Sequence, residues 1–138
     1  MRYIRTFSEL GMNDVPVVGG KNASLGEMFR HLSAEGVRVP DGFATTAEAY
    51  RYYLEHNHLT ERIQQRLQGV SSNDLAQLER AGAEIRGWIF GANLPPDLIE
   101  EITTAYRNLA GGIGSETEVA VRSSATAEDL PNASFAGQ

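Results

Sequence analysis

The sequence predicts an α+β fold in which short strands frame a mostly helical middle. Extended apolar patterns stand near the beginning of the 138 residues, and another extended pattern returns near residue 118. Between them lie several segments with helical periodicity, most of which end at glycine. Strands that are separated by one helical block favour an α+β lobe over a doubly wound sheet, in which strands and helices alternate.

The first elements are predicted to be a strand, an extended segment and a helix. Tyr3 to Phe7 has the alternation of a strand, and Val15-Pro-Val-Val18 is apolar and extended, with a proline that suits an edge or a strand start. Gly19-Gly20 allows a sharp turn, and a helix is predicted from about Asn22 to Glu35. Its predicted buried stripe consists of Leu25, Met28, Phe29 and Leu32.

The middle of the chain is predicted to be helical after one more extended segment, Val37 to Thr45. Thr45-Thr-Ala-Glu48 matches a capping box, which predicts a helix from Thr46 to near His56. A short helix follows from Thr60 to Gln68, and Ser72 is suited to cap the next one. That helix is predicted to end at Gly91, with Gly82 and Gly87 marking close helix packing.

The last helix is predicted to begin at Pro95-Pro96-Asp97, because proline suits the first turn, and to end at Gly111-Gly112. Glu118 to Ser123 then has the pattern of a strand, in which Val119 and Val121 share one face while Arg122 lies on the other. Small hydroxyl residues, an acidic pair, a proline and a glycine follow up to Gln138, which is typical of a loop. Such a segment either delivers Arg122 to a phosphate site or is a sheet strand with a surface arginine and a polar connection.

The composition is that of an ordinary soluble domain, with 41% hydrophobic and 22% charged residues. A net charge of −6 argues against a broad nucleic-acid surface, which needs clustered Lys and Arg. The absence of cysteine excludes disulfides and thiol chemistry. The first residues have no apolar core of a signal peptide, and no stretch is as long and apolar as a membrane span, so a cytoplasmic location is expected.

The run Val121-Arg-Ser-Ser-Ala-Thr-Ala-Glu-Asp-Leu-Pro-Asn-Ala-Ser-Phe-Ala-Gly-Gln138 resembles the signature of the nucleotide-binding domain of pyruvate-utilising dikinases. The resemblance is closest to the pyruvate, water dikinases, while rifampicin phosphotransferases and pyruvate, phosphate dikinases share much of the run. Two further segments resemble the same family in the same order. They are Val-Gly-Gly-Lys-Asn-Ala-Ser-Leu-Gly-Glu-Met at residues 18–28 and Val-Pro-Asp-Gly-Phe-Ala-Thr-Thr-Ala-Glu-Ala-Tyr at residues 39–50.

Gly19, Gly20 and Lys21 form a candidate phosphate site, because a glycine turn at a helix start offers N–H groups and the positive end of a helix dipole. This is not a Walker loop, since that motif would need Gly at Val15 and Ser or Thr at Asn22. The tripeptide alone favours the alternative, a tight turn with a solvated lysine.

The resemblance implies that Lys21 and Arg122 contact ATP phosphates. It also implies that a small-residue loop covers the phosphates, made of Ser134, Phe135, Ala136, Gly137 and Gln138. An alternative for Arg122 is an ion pair with Glu118 or Glu128.

The resemblance further implies that residues 1–138 are an incomplete ATP-grasp nucleotide-binding domain, the N-terminal lobe of a longer enzyme. That enzyme would convert pyruvate, ATP and water to phosphoenolpyruvate, AMP and phosphate, through a phosphohistidine on a mobile domain. The histidine, the pyruvate site and the Mg²⁺ ligands would all lie beyond Gln138, so the chain alone is expected to be inactive. A rifampicin-type phosphotransferase, a pyruvate, phosphate dikinase and a non-catalytic regulatory module remain alternatives.

The other candidates for chemistry have ordinary interpretations. Adjacent Glu128 and Asp129 point opposite ways in an extended chain, which favours a solvated loop pair over a metal site. The chain has no cysteine that could complete a Cys/His metal site with the histidines, so surface positions are expected for His31, His56 and His58. The tyrosines at positions 50, 52 and 53 are interpreted as packing residues and not as a base-stacking platform.

Overall fold

Helices and one two-stranded sheet make up the part of the chain that the structure describes, which is residues 1–71, 73–111 and 117–127 of a computed structural model. The predicted α+β class, short strands with a mostly helical middle, is confirmed. By their contacts the residues divide into two compact units, one of Met1–Ala49 with the described residues from Asp97 onward and one of Tyr50–Pro96.

The described residues form two strands, six helices and two 3₁₀ turns. They are β1 (Ile4–Thr6), 3₁₀ turns at Phe7–Glu9 and Met12–Asp14, α1 (Val15–Val18), α2 (Gly20–Ala34), β2 (Phe43–Thr45), α3 (Ala47–His56), α4 (Leu59–Leu67), α5 (Leu75–Gly91) and α6 (Pro96–Leu109).

The sheet of the first unit pairs β1 with β2 in antiparallel register, with Ile4 opposite Thr45 and Thr6 opposite Phe43. The predicted strand at Tyr3 to Phe7 is therefore confirmed. The long extended segment predicted at 37–45 is a strand only in its last three residues. These three residues are the ones that lie opposite β1, and strand geometry needs such a neighbour.

The core of the first unit contains Leu10, Val18, Ala23 and Ala44, with Phe7 and Val15 packed against it. Helix α2 contributes its small residues to this core, since Gly20, Ala23 and Gly26 are its buried positions. The predicted stripe was wrong: Leu25, Phe29 and Leu32 are only half-buried and Met28 is 43% exposed. Small residues occupy the buried face because Gly26 lets the helix backbone approach Leu10 closely.

Val15–Val18 forms one helical turn, so its prediction as an extended segment was wrong. Proline at the first turn of a helix loses no intrahelical hydrogen bond, and Pro16 occupies that position. Gly19, with a φ of 82°, then separates α1 from α2.

The caps of two helices differ from those predicted. The Thr46 hydroxyl, not that of Thr45, accepts a hydrogen bond from the Ala49 N–H at 3.1 Å, while Glu48 accepts from the Arg2 guanidinium. Helix α5 is capped by Asp74, whose carboxylate accepts from the Gln77 N–H at 3.0 Å. The predicted cap Ser72 lies outside the described residues.

In the second unit, side-chain contacts of two arginines link α4 to α5. The Arg66 guanidinium donates to both carboxylate oxygens of Glu84, and Arg62 lies over the Trp88 ring, 3.9 Å from its centroid. Gly87 is exposed with open space around its Cα, so the prediction that it marks close helix packing was wrong.

The strand predicted at Glu118 to Ser123 is not formed: residues 117–125 have no regular secondary structure. A strand needs hydrogen-bonding neighbours, and within the described residues the only sheet consists of β1 and β2. Val121 is accordingly 92% exposed. Among the described helices, none combines the length and the apolar character that crossing a membrane requires.

Candidate phosphate-binding site

The start of helix α2 is built on the turn at Gly19. The Gly19 N–H closes α1 by donating to the Val15 carbonyl at 2.9 Å, and the Gly19 carbonyl accepts the first hydrogen bond of α2, from Ala23 at 3.0 Å. Lys21 is therefore in the first turn of α2, where it is exposed. The first turn of a 15-residue helix favours anions through its N–H groups and dipole, so Lys21 stands at an electropositive position.

The segment that carries Arg122 contacts this glycine turn directly. Two residues after Arg122, the Ser124 hydroxyl donates to the Val18 carbonyl at 3.1 Å. A Cβ atom at Gly19 would overlap the Ser124 Oγ and would lie 2.8 Å from the Ala125 carbonyl oxygen. The backbone at Gly19 thus packs against residues 124–125, and this contact joins two segments that are about a hundred positions apart.

A second donor reaches the same carbonyl from helix α2. The Asn22 side-chain amide donates to the Val18 carbonyl at 2.9 Å. The Val18 oxygen therefore accepts one hydrogen bond from the residue after Lys21 and one from the residue two positions after Arg122. Since Val18 is only 4% exposed, this shared acceptor is a buried link between the two segments.

The structure places the predicted site residues as follows. Gly19 and Gly20 are buried in the turn, whereas Lys21 and Arg122 are exposed on the two segments that meet there. The alternative ion pair of Arg122 with Glu128, and the predicted loop residues Ser134, Phe135, Ala136, Gly137 and Gln138, lie outside the described residues.

Helix α2 is also attached to the preceding turn by Glu27. One Glu27 oxygen accepts from the Met12 N–H at 3.2 Å, and the other lies 2.8 Å from the His31 ring nitrogen Nε2. The hydrogen bond from the Met12 backbone is the main cause that holds the pKa of Glu27 below its usual value, and the contact with His31 is the second. Glu27 thus supports the helix that presents Lys21.

The histidines and tyrosines for which the sequence predicted ordinary surface or packing roles lie as follows. His31, His56 and His58 are all exposed, and Tyr50 is 52% exposed. The Tyr53 hydroxyl donates to the carbonyls of Ile89 and Ala92, which is a packing role. Within the described ranges no group of three or more His, Cys, Asp or Glu side chains is placed to hold a metal ion, and Glu128 and Asp129 fall outside those ranges.

Sequence reasoning missed Ser124 and Asn22. Asn22 could have been found, because Asn side chains commonly hydrogen-bond to backbone groups a few residues away. Ser124 could not, because its acceptor is 106 positions away and a serine within a polar run has no distinguishing pattern.

The chain matches the family model described as "Pyruvate phosphate dikinase, AMP/ATP-binding domain" over residues 15–138, and it belongs to this family. It is 56% identical over 137 residues to the phosphoenolpyruvate synthase of Neisseria meningitidis serogroup B, covering 99% of this chain and 17% of that protein. It is 54% identical over 138 residues to the enzyme of the same name from Deinococcus radiodurans, with 100% and 17% covered.

The phosphoenolpyruvate synthase of Escherichia coli is 51% identical over 132 residues, which covers 96% of this chain and 16% of that enzyme. The resemblance to pyruvate-utilising dikinases is therefore confirmed. The chain spans about 17% of the length of the first two of these relatives.

Proposed function

We propose that residues 1–138 are the ATP-binding part of a phosphoenolpyruvate synthase, which converts pyruvate, ATP and water to phosphoenolpyruvate, AMP and phosphate. The observation that carries this proposal is the hydrogen bond from Ser124 to Val18, which brings the two dikinase segments to one place. The names of the relatives support the choice of reaction, and the AMP/ATP-binding family supports the nucleotide.

In this proposal Lys21 and Arg122 bind the phosphates of ATP. Phosphoryl transfer depends mainly on positioning and on neutralising charge, so two cations held beside a helix start suit it. Arg122 offers a planar fork of donors to phosphate oxygens, and Lys21 adds a compact charge at the positive end of α2. Gly19 and Gly20 let the backbone approach the phosphates, and the loop residues Ser134, Phe135, Ala136, Gly137 and Gln138 would cover them.

The fold that we propose is part of the N-terminal lobe of an ATP-grasp domain, in a cytoplasmic enzyme. The histidine that receives the phosphoryl group would lie on a domain outside residues 1–138, as would the pyruvate site. Magnesium is expected in the complete enzyme, and within the described residues no group of three or more His, Cys, Asp or Glu side chains is placed to hold it. The proposal assigns the metal ligands, like the histidine and the pyruvate site, to residues beyond Gln138.

The names of the relatives favour pyruvate as acceptor over the antibiotic of a rifampicin-type phosphotransferase, and water over the phosphate used by pyruvate, phosphate dikinases. A regulatory module without catalysis is also less consistent with them. Product analysis separates these functions: only the proposed reaction releases AMP and phosphate from ATP in a pyruvate-dependent way without added phosphate.

The test of the ATP site uses the full-length enzyme and labelled phosphate from two donors. ATP labels the histidine through the site proposed here, whereas phosphoenolpyruvate labels the same histidine through the separate pyruvate site. Lys21→Ala and Arg122→Ala should each lower labelling from ATP by on the order of a hundredfold or more, as loss of one electrostatic donor commonly does. Labelling from phosphoenolpyruvate should remain.

A matched control is Arg38→Ala, which removes an exposed arginine from the segment between α2 and β2. Arg38→Ala should label normally from both donors. Equal loss with ATP and phosphoenolpyruvate in Arg122→Ala would mean that Arg122 supports the fold and would reject its role at the phosphates. Normal labelling from ATP in both site variants would reject the proposed site.

A further inference from the structure

We infer that Ser124 is a positioning residue that holds the Arg122 segment against the glycine turn carrying Lys21. This inference rests on the proposed function. Ser124 lies two residues after Arg122, and its hydroxyl donates to the carbonyl of Val18, three residues before Lys21. The serine thereby ties the backbones that carry the two cations to each other.

The hydroxyl proton of Ser124 is used for this contact and not for a phosphate. A serine hydroxyl has one proton to donate, and at 3.1 Å that proton is directed to the Val18 oxygen. The hydroxyl residues after Arg122 are otherwise suited to phosphate oxygens, so Ser124 differs in function from what its position in a polar loop indicates. Its effect on ATP would pass through Arg122.

The contact has the close packing that precise positioning needs. Gly19 is buried, and a side chain there would overlap Ser124, so nothing separates the turn from residues 124–125. Arg122 itself lies in a segment without regular secondary structure, and among the residues that the structure describes no strand pairs with it. The Ser124–Val18 hydrogen bond therefore supplies a restraint that a sheet would otherwise provide.

Removal of the hydroxyl should leave the fold intact, because the buried Val18 carbonyl keeps its hydrogen bond from Asn22. The main loss should be in the placement of Arg122. Misplacement of a catalytic group by about 1 Å can slow a reaction on the order of a hundredfold. A positioning role therefore predicts a slower transfer step with little change in the ATP concentration that gives half-saturation.

The experiment measures phosphate uptake from ATP and from phosphoenolpyruvate in four variants of the full-length enzyme: Ser124→Ala, Arg122→Lys, the double variant and Ser33→Ala. Ser124→Ala should transfer phosphate from ATP about tenfold to a hundredfold more slowly, and normally from phosphoenolpyruvate. In the Arg122→Lys background the same change should have an additional effect of no more than about twofold, because the arginine on which it acts is already lost. Ser33→Ala, at an exposed serine of α2, should behave like the unsubstituted enzyme.

The outcomes separate this inference from the proposed function. If Arg122→Lys leaves phosphate uptake from ATP unchanged, and Lys21→Ala does so in the test of the ATP site described above, the proposed ATP site itself is wrong. If Arg122→Lys lowers the uptake but Ser124→Ala does not, only the role of Ser124 is rejected. Equal loss of uptake from both phosphate donors, or full additivity in the double variant, would also reject a role that passes through Arg122.

Discussion

Gly26 of helix α2 packs directly on Leu10, so closely that a Cβ atom at Gly26 would overlap the Leu10 Cβ and lie 2.9 Å from the Leu10 carbonyl oxygen. Both residues are buried, Leu10 to 1% exposure. A glycine in the middle of a helix normally lowers its stability relative to alanine. Here the glycine is required, because backbone atoms occupy the space that a methyl group would need.

Gly26→Ala should therefore destabilise the chain even though alanine is the better helix former. Overpacking a well-packed site costs typically about 1–3 kcal/mol, which exceeds the helix-propensity gain of about 1 kcal/mol. Urea unfolding measures the difference. The control is Gly87→Ala in α5, where the glycine has open space and the same substitution should raise the free energy of unfolding by up to about 1 kcal/mol. Equal effects at both positions would contradict the close packing at Gly26.

Leu10→Ala should lower the free energy of unfolding by about 2–5 kcal/mol, the usual range for a large buried side chain. Leu10 is the largest side chain of a buried cluster with Val18, Ala23 and Ala44, so its truncation should leave a cavity in the core. Met28→Ala, on the 43% exposed side of α2, should change stability by about 0.5 kcal/mol or less. A larger loss of unfolding free energy in Met28→Ala than in Leu10→Ala would support the buried face of α2 that periodicity predicted.

The carboxyl group of Glu27 should titrate below its usual pKa of 4.5, because the Met12 N–H and then His31 stabilise its charged form. A pKa that is lower in the folded state gives stability that is present above pH 4.5 and is lost as the pH falls through the folded value. Carboxyl chemical shifts followed by NMR measure the pKa directly. Glu27→Gln should flatten the stability profile over this acidic range, and a midpoint at or above 4.5 would contradict the hydrogen bond to Met12.

Local patterns predicted the first strand and the five longer helices, but not which face of helix α2 is buried. Helix α2 illustrates the difference: its existence follows from periodicity, while its orientation depends on how closely Gly26 approaches Leu10, a contact between distant parts of the chain. Val15–Val18 became helical because tertiary packing and Pro16 at a first-turn position outweigh the strand propensity of valine. The prediction of a strand at 118–123 was wrong because an alternating pattern alone does not supply a hydrogen-bonding neighbour.

The candidate site was predictable only where it depends on local sequence features. The turn at Gly19 and the helix start at Lys21 are local features, and sequence resemblance implied that Arg122 belongs to the same site. The link between them is not local: the Val18 carbonyl receives Ser124 across 106 positions. No periodicity or spacing indicates such a contact, so only the structure shows that the two segments meet.

The 138-residue chain by itself should release no AMP from ATP in a pyruvate-dependent way. The proposal locates the phosphate-accepting histidine and the pyruvate site outside these residues, and phosphoryl transfer needs donor and acceptor held together. The assay measures AMP from ATP with and without pyruvate, with the full-length enzyme as the positive control. Pyruvate-dependent AMP from the purified chain would show that the assignment of these functions to other domains is wrong.

Gly19→Ala should damage the ATP half-reaction more than Gly36→Ala, although both glycines have a positive φ. Gly19 has a φ of 82° and Gly36 a φ of 81°, so alanine is strained at either position, and at Gly19 the ψ of 160° adds to that strain because almost only glycine adopts this combination. Only at Gly19 would the new methyl group also collide with Ser124 and the Ala125 backbone, since Gly36 has open space around it.

Gly36→Ala is the control for alanine at a positive φ outside the site, and phosphate uptake from phosphoenolpyruvate is the control for loss of the fold. In the full-length enzyme Gly36→Ala should keep normal phosphate uptake from ATP. Gly19→Ala should slow that uptake on the order of a hundredfold, because the displaced segment misplaces Arg122, and it should leave uptake from phosphoenolpyruvate unchanged. Equal uptake from ATP in the two variants would mean that the packing of residues 124–125 on Gly19 has no part in phosphate binding.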